Sequence, residues 1–171
     1  MQGYLREYYD TGEPSPVTAA RVLAKGIASA ATGGEMIARM AQPIRASVDF
    51  GEGLRWSTRD WLTVAGGTID QIGLGFRPFH RANERSDVFH LLGIHCSPFG
   101  FAVDLPRVWR AAGLREGKSL DHLTARATVT ADAPSLPYML DGDLLDGPPS
   151  LTLSAGPALR LAVLDTPWGR F

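Results

Sequence analysis

Two periodicities divide the chain. Apolar residues recur at the three- and four-residue spacing of an amphipathic helix over residues 17–31, after Ser15 and Pro16, a pair typical of a helix start. Residues 35–41 predict a second short helix before the pattern ends. We therefore predict a helical segment over residues 1–43.

After residue 43 apolar and polar positions alternate, as they do in half-buried strands. Gly51 and Gly53 enclose a tight turn between two such runs and predict a β-hairpin. A short helix is predicted near residues 105–112, capped by Asp104. The remaining strands are predicted over residues 61–65, 88–95, 123–131, 138–140, 151–154 and 158–164. Residues 44–171 thus read as a mainly β, largely antiparallel sandwich or barrel-like lobe.

Composition narrows the functional classes. The 171 residues suit one domain or one lobe of a larger enzyme, and the net charge of −1 provides no basic field for nucleic acid or for an anionic membrane. The single cysteine, Cys96, excludes an internal disulfide and a multi-cysteine metal site, and its apolar flanks predict a buried thiol. The longest uncharged run, residues 88–103, is shorter than the roughly 20 apolar residues of a membrane helix. We expect a soluble, cytoplasmic protein.

Three motifs have simpler structural explanations. Residues 113–119 resemble a phosphate-binding loop but are one residue short and follow a predicted helix, so a helix-to-strand loop is favoured. The glycines of residues 66–78 permit close approach of a ligand or of another strand, and strand ends with a bulge are favoured. His90 and His95 lie an odd number of positions apart, so they face opposite sides of one strand and do not form a zinc site together.

Asp141, Gly142 and Asp143 form a fourth motif. Asp-Gly is a strong hairpin-turn signal, so the two acids are explained by a solvated turn. Alternatively, the end of a strand presents two carboxylates at a cleft, where they hold magnesium or accept a hydroxyl proton during phosphoryl transfer.

The order of motifs from residue 44 to residue 164 resembles the diacylglycerol and sphingosine kinase-like lipid kinases, of the bacterial soluble type. Those proteins carry Asp-Gly-Glu on a strand of the C-terminal lobe, then a short strand and a last strand beginning Pro-Ala-Leu. Here Leu140 to Asp143 are followed by a proline-containing turn, residues 151–154 and Pro157-Ala158-Leu159. Residues 73–78 and 87–91 resemble two further segments of the same lobe.

The resemblance implies a two-layer antiparallel β-sandwich that packs on a nucleotide-binding lobe, with the active site between them. The family's Gly-Gly-Asp-Gly-Thr motif, which holds ATP and magnesium in the N-terminal lobe, is absent from this chain. The chain therefore resembles the C-terminal lobe only, as a fragment, a split subunit or a degenerate member, and both cofactors would be held largely by the missing lobe.

The resemblance also assigns site residues. Asp141 and Gly142 match the first two positions of Asp-Gly-Glu, and the resemblance assigns Gly142 to cofactor binding. Asp143 stands in place of the glutamate, which is the candidate general base for the lipid hydroxyl. Glu84, Asp87 and the carbonyl of Phe89 have the spacing of a structural magnesium site found in bacterial members, and an exposed charge pair is the alternative for the two acids.

The functional hypothesis is the C-terminal lobe of an ATP-dependent lipid kinase that phosphorylates a hydroxyl of a diacylglycerol-like or sphingoid-like acceptor, inactive in isolation. Its partners would be the lipid and a nucleotide-binding lobe in cis or in trans, and peripheral contact with a membrane is compatible with it. The alternative is a non-catalytic β-sandwich module that binds a lipid or a protein, through an apolar surface left uncovered.

Overall fold

The computed structural model describes residues 42–72, 75–141 and 143–157. The predicted helical segment lies outside the described residues except for its last two, and so does the predicted strand 158–164. The described part is mainly β, as predicted. Its elements are β1 Ile44–Gly51, β2 Leu54–Trp61, β3 Thr63–Gly67, β4 Phe89–Ile94, α1 Pro98–Trp109, β5 Ser119–Thr124, β6 Arg126–Ala131, β7 Leu136–Leu140, β8 Asp143–Gly147 and β9 Ser150–Ser154.

The predicted hairpin is confirmed by β1 and β2. Gly51 pairs with Leu54 in an antiparallel register, and the two turn residues have positive φ, 52° at Glu52 and 82° at Gly53. Two positive φ values suit the right-handed twist of the flanking strands. This hairpin forms one edge of a four-stranded sheet with the order β2-β1-β6-β9, and β3-β4-β5 form a second sheet of three strands.

The chain crosses between these sheets at two corners, at Leu62 between β2 and β3 and at Ala125 between β5 and β6. The single strand predicted over residues 123–131 is therefore wrong. In the structure the alternation of buried and exposed positions is broken at Ala125, which is exposed like Arg126. At this point the Oγ1 atom of Thr124 accepts a hydrogen bond of 3.1 Å from the backbone N–H of Arg126. This local bond replaces a ladder bond and redirects the strand. The predicted strand 61–65 is likewise divided, at Leu62, whose N–H donates a hydrogen bond of 2.7 Å to the carbonyl of Ile94 at the end of β4.

The main core lies between the two sheets and is built from inward-facing residues of both. Trp61 is fully buried, and its indole nitrogen donates a hydrogen bond of 2.8 Å to the carbonyl of Ala46. Gly93 makes room for this ring, because a Cβ there would lie 2.5 Å from it. The buried core residues are Ala46, Val48, Trp56, Trp61, Phe89, Leu91, Ala127, Val129, Ala131 and Leu136.

Strand β4 is buried along its whole length, as its apolar sequence predicts. Phe89 and Leu91 face the main core, whereas Leu92 and Ile94 face a second cluster on the outer side of the three-stranded sheet. Helix α1 and residues 78–82 contribute to this second cluster, which includes the half-buried Cys96. The pKa of the Cys96 thiol is raised by burial.

Helix α1 begins seven residues before the predicted start. Its cap is Ser97, whose Oγ accepts a hydrogen bond of 3.1 Å from the N–H of Gly100, with Pro98 in the first turn. The prediction of Asp104 as the cap is wrong, because Asp104 lies inside the helix with its side chain buried. Ser97-Pro98 is the same signal as the pair at residues 15–16, and Pro106, although inside the helix, does not end it.

Strands β7 and β8 form a separate two-stranded sheet. Leu140 pairs with Asp143, so that the connecting loop consists of residues 141 and 142. Leu136 at the base of the hairpin packs in the main core, whereas Leu140 at its tip is 60% exposed. The hairpin is therefore anchored at one end and projects at the other.

Candidate functional site

The two aspartates singled out in the sequence lie at the tip of the β7–β8 hairpin, and both are exposed. Asp141 occupies the loop with a positive φ of 50°, a conformation that Asp tolerates better than most residues. Asp143 is the first residue of β8. The structure thus brings these two residues together at a turn, as both interpretations of the motif require. Gly142 lies outside the described residues.

One face of this hairpin combines apolar side chains with a carboxylate. Directly paired residues of an antiparallel ladder share a face, so Asp143 lies on the same face as Leu140, and Leu145 as Tyr138. Leu136, two positions before Tyr138, is on this face and buried in the core. The face therefore continues from the core into an exposed apolar surface that ends at Asp143; we call it the tip face (Tyr138, Leu140, Asp143 and Leu145).

The opposite face of the hairpin offers a comparison within the same strands. Asp146 pairs with Pro137 and lies three residues after Asp143, so it points to the other side. It is exposed, like Asp143. The hairpin therefore carries one carboxylate on each face: Asp143 lies with Leu140 and Leu145, and Asp146 lies with Met139, which is 40% exposed, and Leu144.

The predicted magnesium ligands are held by arginines of their own segment. The guanidinium of Arg81 donates to both carboxylate oxygens of Glu84, at 2.9 and 3.3 Å. The Nε of Arg85 donates to Asp87 at 3.0 Å. These hydrogen bonds lower the pKa of both carboxyl groups. A magnesium ion would have to displace two guanidinium groups from these carboxylates. The two carboxylates are therefore poorly placed to bind the metal, and the assignment of Glu84 and Asp87 as its ligands stays a prediction.

Arg81 also joins this segment to β5. It donates a hydrogen bond of 2.8 Å from Nη1 to Oδ1 of Asp121, and the same oxygen lies 3.4 Å from Nε2 of His90. Although burial opposes it, the bond from Arg81 keeps the pKa of Asp121 below its usual value. The sequence analysis missed this cluster because its members are distant along the chain.

His90 is fully buried and neither of its ring nitrogens makes a hydrogen bond. The rings of Phe79 and His80 meet it edge-on, with centroids 6.2 and 5.2 Å away. Burial lowers the pKa of His90, so it is neutral near pH 7. His95 contacts Trp61 on the inner side of the sheet, which confirms that the two histidines face opposite sides.

The phosphate-loop-like segment is a helix-to-strand connection, as favoured. Its lysine, Lys118, donates a hydrogen bond of 3.0 Å to Oδ2 of Asp104 and one of 2.7 Å to the carbonyl of Gly100. The backbone N–H of Arg115 donates to the same Asp104 oxygen at 3.0 Å. Against the effect of burial, these donors lower the pKa of Asp104. The lysine fastens the helix to the following strand.

The glycine-rich segment also has a structural role. A Cβ on Gly67 would lie 2.3 Å from the ring of Phe79, and one on Gly66 would lie 3.2 Å from the ring of Phe89. Both glycines belong to β3 and pair with β4. They permit the close approach of aromatic rings at the end of β3, so the predicted strand end is confirmed, whereas the β3–β4 register contains no bulge.

A cavity of about 590 Å³ lies at the β1–β2 turn and the β5–β6 corner. Its lining combines the basic side chains Arg85 and Arg126 with the acidic Glu52, with His122 and with apolar residues that include Leu54 and Val88. A smaller cavity of about 280 Å³ lies on the β1–β2 hairpin. Neither cavity is lined by residues of the β7–β8 hairpin.

Within residues 42–72, 75–141 and 143–157, no group of three or more His, Cys, Asp or Glu side chains is arranged to hold a metal ion. The same residues include no helix with the length and apolar character needed to cross a membrane.

The described part of the protein is a mainly β lobe of antiparallel sheets. No protein-family model and no curated protein sequence matches the chain. Among solved structures, it is similar to a diacylglycerol kinase from Bacillus anthracis str. Sterne, with 10% sequence identity and a TM-score of 0.48. The match covers 67% of this chain and 41% of the kinase chain, so this chain spans less than half of that protein.

Proposed function

We propose that this chain is the C-terminal lobe of an ATP-dependent lipid kinase, with its acceptor site at the β7–β8 hairpin. The observation that carries the proposal is the tip face, where the carboxylate of Asp143 shares one exposed surface with Leu140 and Leu145. A lipid acceptor has the matching chemistry, a hydroxyl group beside acyl chains. The resemblance of residues 44–164 to the lipid kinases supports the same assignment.

In this proposal the companion lobe supplies ATP and magnesium, whose charge stabilises the transferred phosphoryl group. Asp143 accepts the proton of the acceptor hydroxyl. The oxygen of that hydroxyl bonds to the γ-phosphorus as the bond to ADP breaks and ADP departs. Asp141, in the adjacent loop, supports the carboxylate through the surrounding water and charge network. Leu140 and Leu145 exclude water from the acyl chains next to the hydroxyl.

The test compares two aspartates of the same hairpin in the assembled two-lobe enzyme. Asp143→Asn should lower kcat for transfer from ATP to diacylglycerol in mixed micelles by about 10²–10⁴-fold, the usual contribution of a general base. Asp146→Asn, which removes the matched carboxylate from the opposite face, should stay within about threefold of the parent. Equal activity of Asp143→Asn and Asp146→Asn would discard the assignment of Asp143.

Two further variants test the side-chain length of the carboxylate and the apolar contact beside it. Asp143→Glu should retain activity, because it restores the side-chain length found in the related kinases. Leu140→Ser should raise KM for a long-chain acceptor more than for a short-chain one, because it removes apolar contact and leaves the carboxylate in place. The isolated chain should bind magnesium-ATP only weakly in calorimetry, and micromolar affinity would contradict the division into two lobes.

The second candidate is a non-catalytic module that binds an anionic amphiphile, and the cavity of about 590 Å³ is the observation in its favour. Arg126 would face an acidic headgroup while Leu54 and Val88 contact the chain, and Arg85 stays bound to Asp87. Arg126→Gln should weaken binding of a fatty acid or lysophosphatidic acid about tenfold, measured by calorimetry, and Asp143→Asn should not. The reverse pattern would favour the kinase lobe.

A further inference from the structure

The four-stranded sheet has two edges, and they differ in how they are protected from pairing with another strand. Edge strand β2 carries the charged residues Arg55, Arg59 and Asp60, and its register with β1 is interrupted by two irregularities. Charged residues and bulges are the usual features that prevent an edge strand from accepting a further strand. Strand β2 is therefore a protected edge.

Strand β9, at the other edge, lacks these features. Its sequence, Ser-Leu-Thr-Leu-Ser, contains no charged residue and no proline, and it pairs with β6 in a regular register from Ser150 to Ser154. Among the strands that the structure describes, β6 is the only one paired with β9. An uncharged and regular edge strand of this kind favours the addition of another strand.

The backbone N–H groups of β9 alternate in direction, and this alternation identifies those that an added strand would use. The N–H of Ala155 donates a hydrogen bond of 2.8 Å to the carbonyl of Ala125, just before β6. Because hydrogen-bonded pairs alternate along an antiparallel ladder, the N–H of Leu153 also points toward β6. The N–H of Thr152 therefore points toward the open edge.

The side chains of β9 indicate what kind of strand fits beside it. Leu151 and Leu153 pack against the main core, and both are only partly buried. On the outer face of the sheet, the hydroxyl oxygen of Thr152 lies 3.0 Å from that of Thr128 on β6. A strand that covers this edge must present apolar side chains on the inner face and polar or small side chains on most of the outer face.

We propose that residues 158–164 of the same chain, for which the sequence predicts a strand, pair antiparallel with β9 and cover this edge. Their sequence has the required alternation, because two leucines and a valine alternate with mostly small or polar residues. The first set is Leu159, Leu161 and Val163, and the second is Ala158, Arg160, Ala162 and Leu164.

The connection between the two segments sets the register of this pairing. Residues 155–157 separate them and include a glycine and a proline, and three-residue loops are common in β-hairpins. A loop of this length pairs Leu153 with Leu159 on the inner face and Thr152 with Arg160 on the outer face. The proline, which has no N–H, lies in the loop, where no ladder hydrogen bond is needed.

A second copy of the chain is the rival occupant, because the sequence of β9 is symmetric about Thr152 and would match itself in an antiparallel pair. The short connection favours the segment of the same chain, since a tethered strand has a far higher effective concentration than a separate molecule. The pairing requires neither ATP nor Asp143, so the inference stands apart from the proposed reaction.

Disulfide trapping in the full chain tests the occupant and the register together. Thr152→Cys is combined with Arg160→Cys after Cys96→Ala has removed the native thiol. Hydrogen-bonded pairs of a ladder lie about 5.5 Å apart between Cα atoms, which is within disulfide range. In a glutathione buffer most molecules should form a disulfide within one chain. Non-reducing electrophoresis and thiol titration should then show a monomer without free thiols.

Two control pairs show whether trapping is specific. Ser57→Cys with Arg160→Cys places the first cysteine at an exposed position of the protected edge β2. Thr152→Cys with Ala162→Cys keeps the β9 position and moves its partner to a diagonal one, about 7–8 Å away and beyond disulfide range. Both control pairs should form the disulfide at least about tenfold more slowly than the first pair.

Hydrogen exchange measured by NMR gives a second readout without new cysteines. In the parent, the amide of Thr152 should exchange within about tenfold of the rate at Leu153. Leu161→Asn introduces a polar group on the inner face, so it should speed exchange at Thr152 at least about tenfold and leave Leu153 unchanged. Ala162→Gln, on the outer face, should leave both amides as in the parent. Protection at Leu153 confirms in each variant that the sheet is folded.

Three results would overturn the proposal. The first is a Thr152 amide that exchanges in the parent as fast as an exposed amide. The second is equal trapping of the Thr152→Cys, Arg160→Cys pair and the Ser57→Cys, Arg160→Cys pair. The third is a disulfide that the first pair forms only between two chains, which would assign the β9 edge to a second copy of this chain.

Discussion

Arg81 donates a hydrogen bond of 2.8 Å to Asp121, which lies 40 positions later in the chain. This contact fastens the irregular segment after β3 to the middle of β5, next to the buried ring of His90. Both side chains are about one-third exposed, so solvent screens the pair and reduces its contribution to stability.

Removing this arginine should lower the free energy of unfolding by about 1 kcal/mol, because Asp121 would lose its charged donor beside a buried ring. Arg81→Gln measures the effect by urea denaturation. Arg85→Gln is the control, since Arg85 binds its exposed neighbour Asp87 within the same segment, and its urea midpoint should match that of the parent. A similar loss in both variants would contradict a specific role for the contact with β5.

Stability should also fall on mild acidification, because His90 is held neutral in the fold. Burial lowers its pKa below the usual value near 6.5, with Asp121 opposing the shift and His80 and Arg81 adding to it. Below about pH 6.5 the unfolded chain binds a proton that the folded chain does not, so the free energy of unfolding decreases as the pH falls.

The variant His90→Phe keeps a ring at this position and removes the titration. It should flatten the dependence of the urea midpoint on pH between about 7.5 and 5.5. The carboxyl groups with lowered pKa, those of Asp104 and Asp121, cause a further loss at lower pH, below about 3.9. An unchanged pH profile in His90→Phe would exclude His90 as the source.

Gly67→Ala tests the close contact between β3 and the segment that follows it. The new methyl group would lie 2.3 Å from the ring of Phe79, which is itself buried. The ring or the strand must shift, and we expect a loss of about 1–3 kcal/mol, the usual range for overpacking. Gly156→Ala, where a Cβ meets no atom within 4 Å, should leave the thermal midpoint nearly unchanged. Equal midpoints for the two variants would show that Phe79 yields without cost.

The pair formed by Asp104 and Lys118 should show coupling in a double-mutant cycle. Asp104→Asn leaves the ammonium of Lys118 without its buried partner and should cost about 2–4 kcal/mol. Adding Lys118→Met should recover part of this loss, because replacing both charges costs less than leaving one unpaired. Additive effects in urea denaturation would mean that the two charges act independently.

The sequence predicted those elements whose signals are local. The Gly51–Gly53 turn fixes the first hairpin, and the uninterrupted apolar run of β4 indicates burial on both faces. The start of α1 was predictable from Ser97-Pro98 and was missed, because Asp104 is also a common capping residue. The corner at Ala125 was not predictable, because the alternation of apolar and polar residue types continues through it and only the sheet partners of Thr124 and Arg126 differ.

In the candidate site, too, some features have a local signal in the sequence and others have none. Asp-Gly predicts the exposed turn next to Asp141 and Asp143, and a two-residue turn pairs Leu140 directly with Asp143, which places both on one face. The contact between Arg81 and Glu84 has a sequence signal in its spacing of three, whereas the contact of Arg81 with Asp121 depends on how β5 lies beside β4. Such contacts are set by tertiary packing and leave no local pattern.

The β7–β8 ladder has no backbone hydrogen-bonded strand partner elsewhere in the described residues. Its amides can therefore exchange with deuterium through a sub-global opening that peels the hairpin away and leaves the sandwich intact, at a free energy well below that of complete unfolding. The amides of β4, paired on both sides, should exchange only when the whole lobe unfolds. The end of the molecule that carries Asp143 is thus the end that can be reshaped with the least disturbance to the rest.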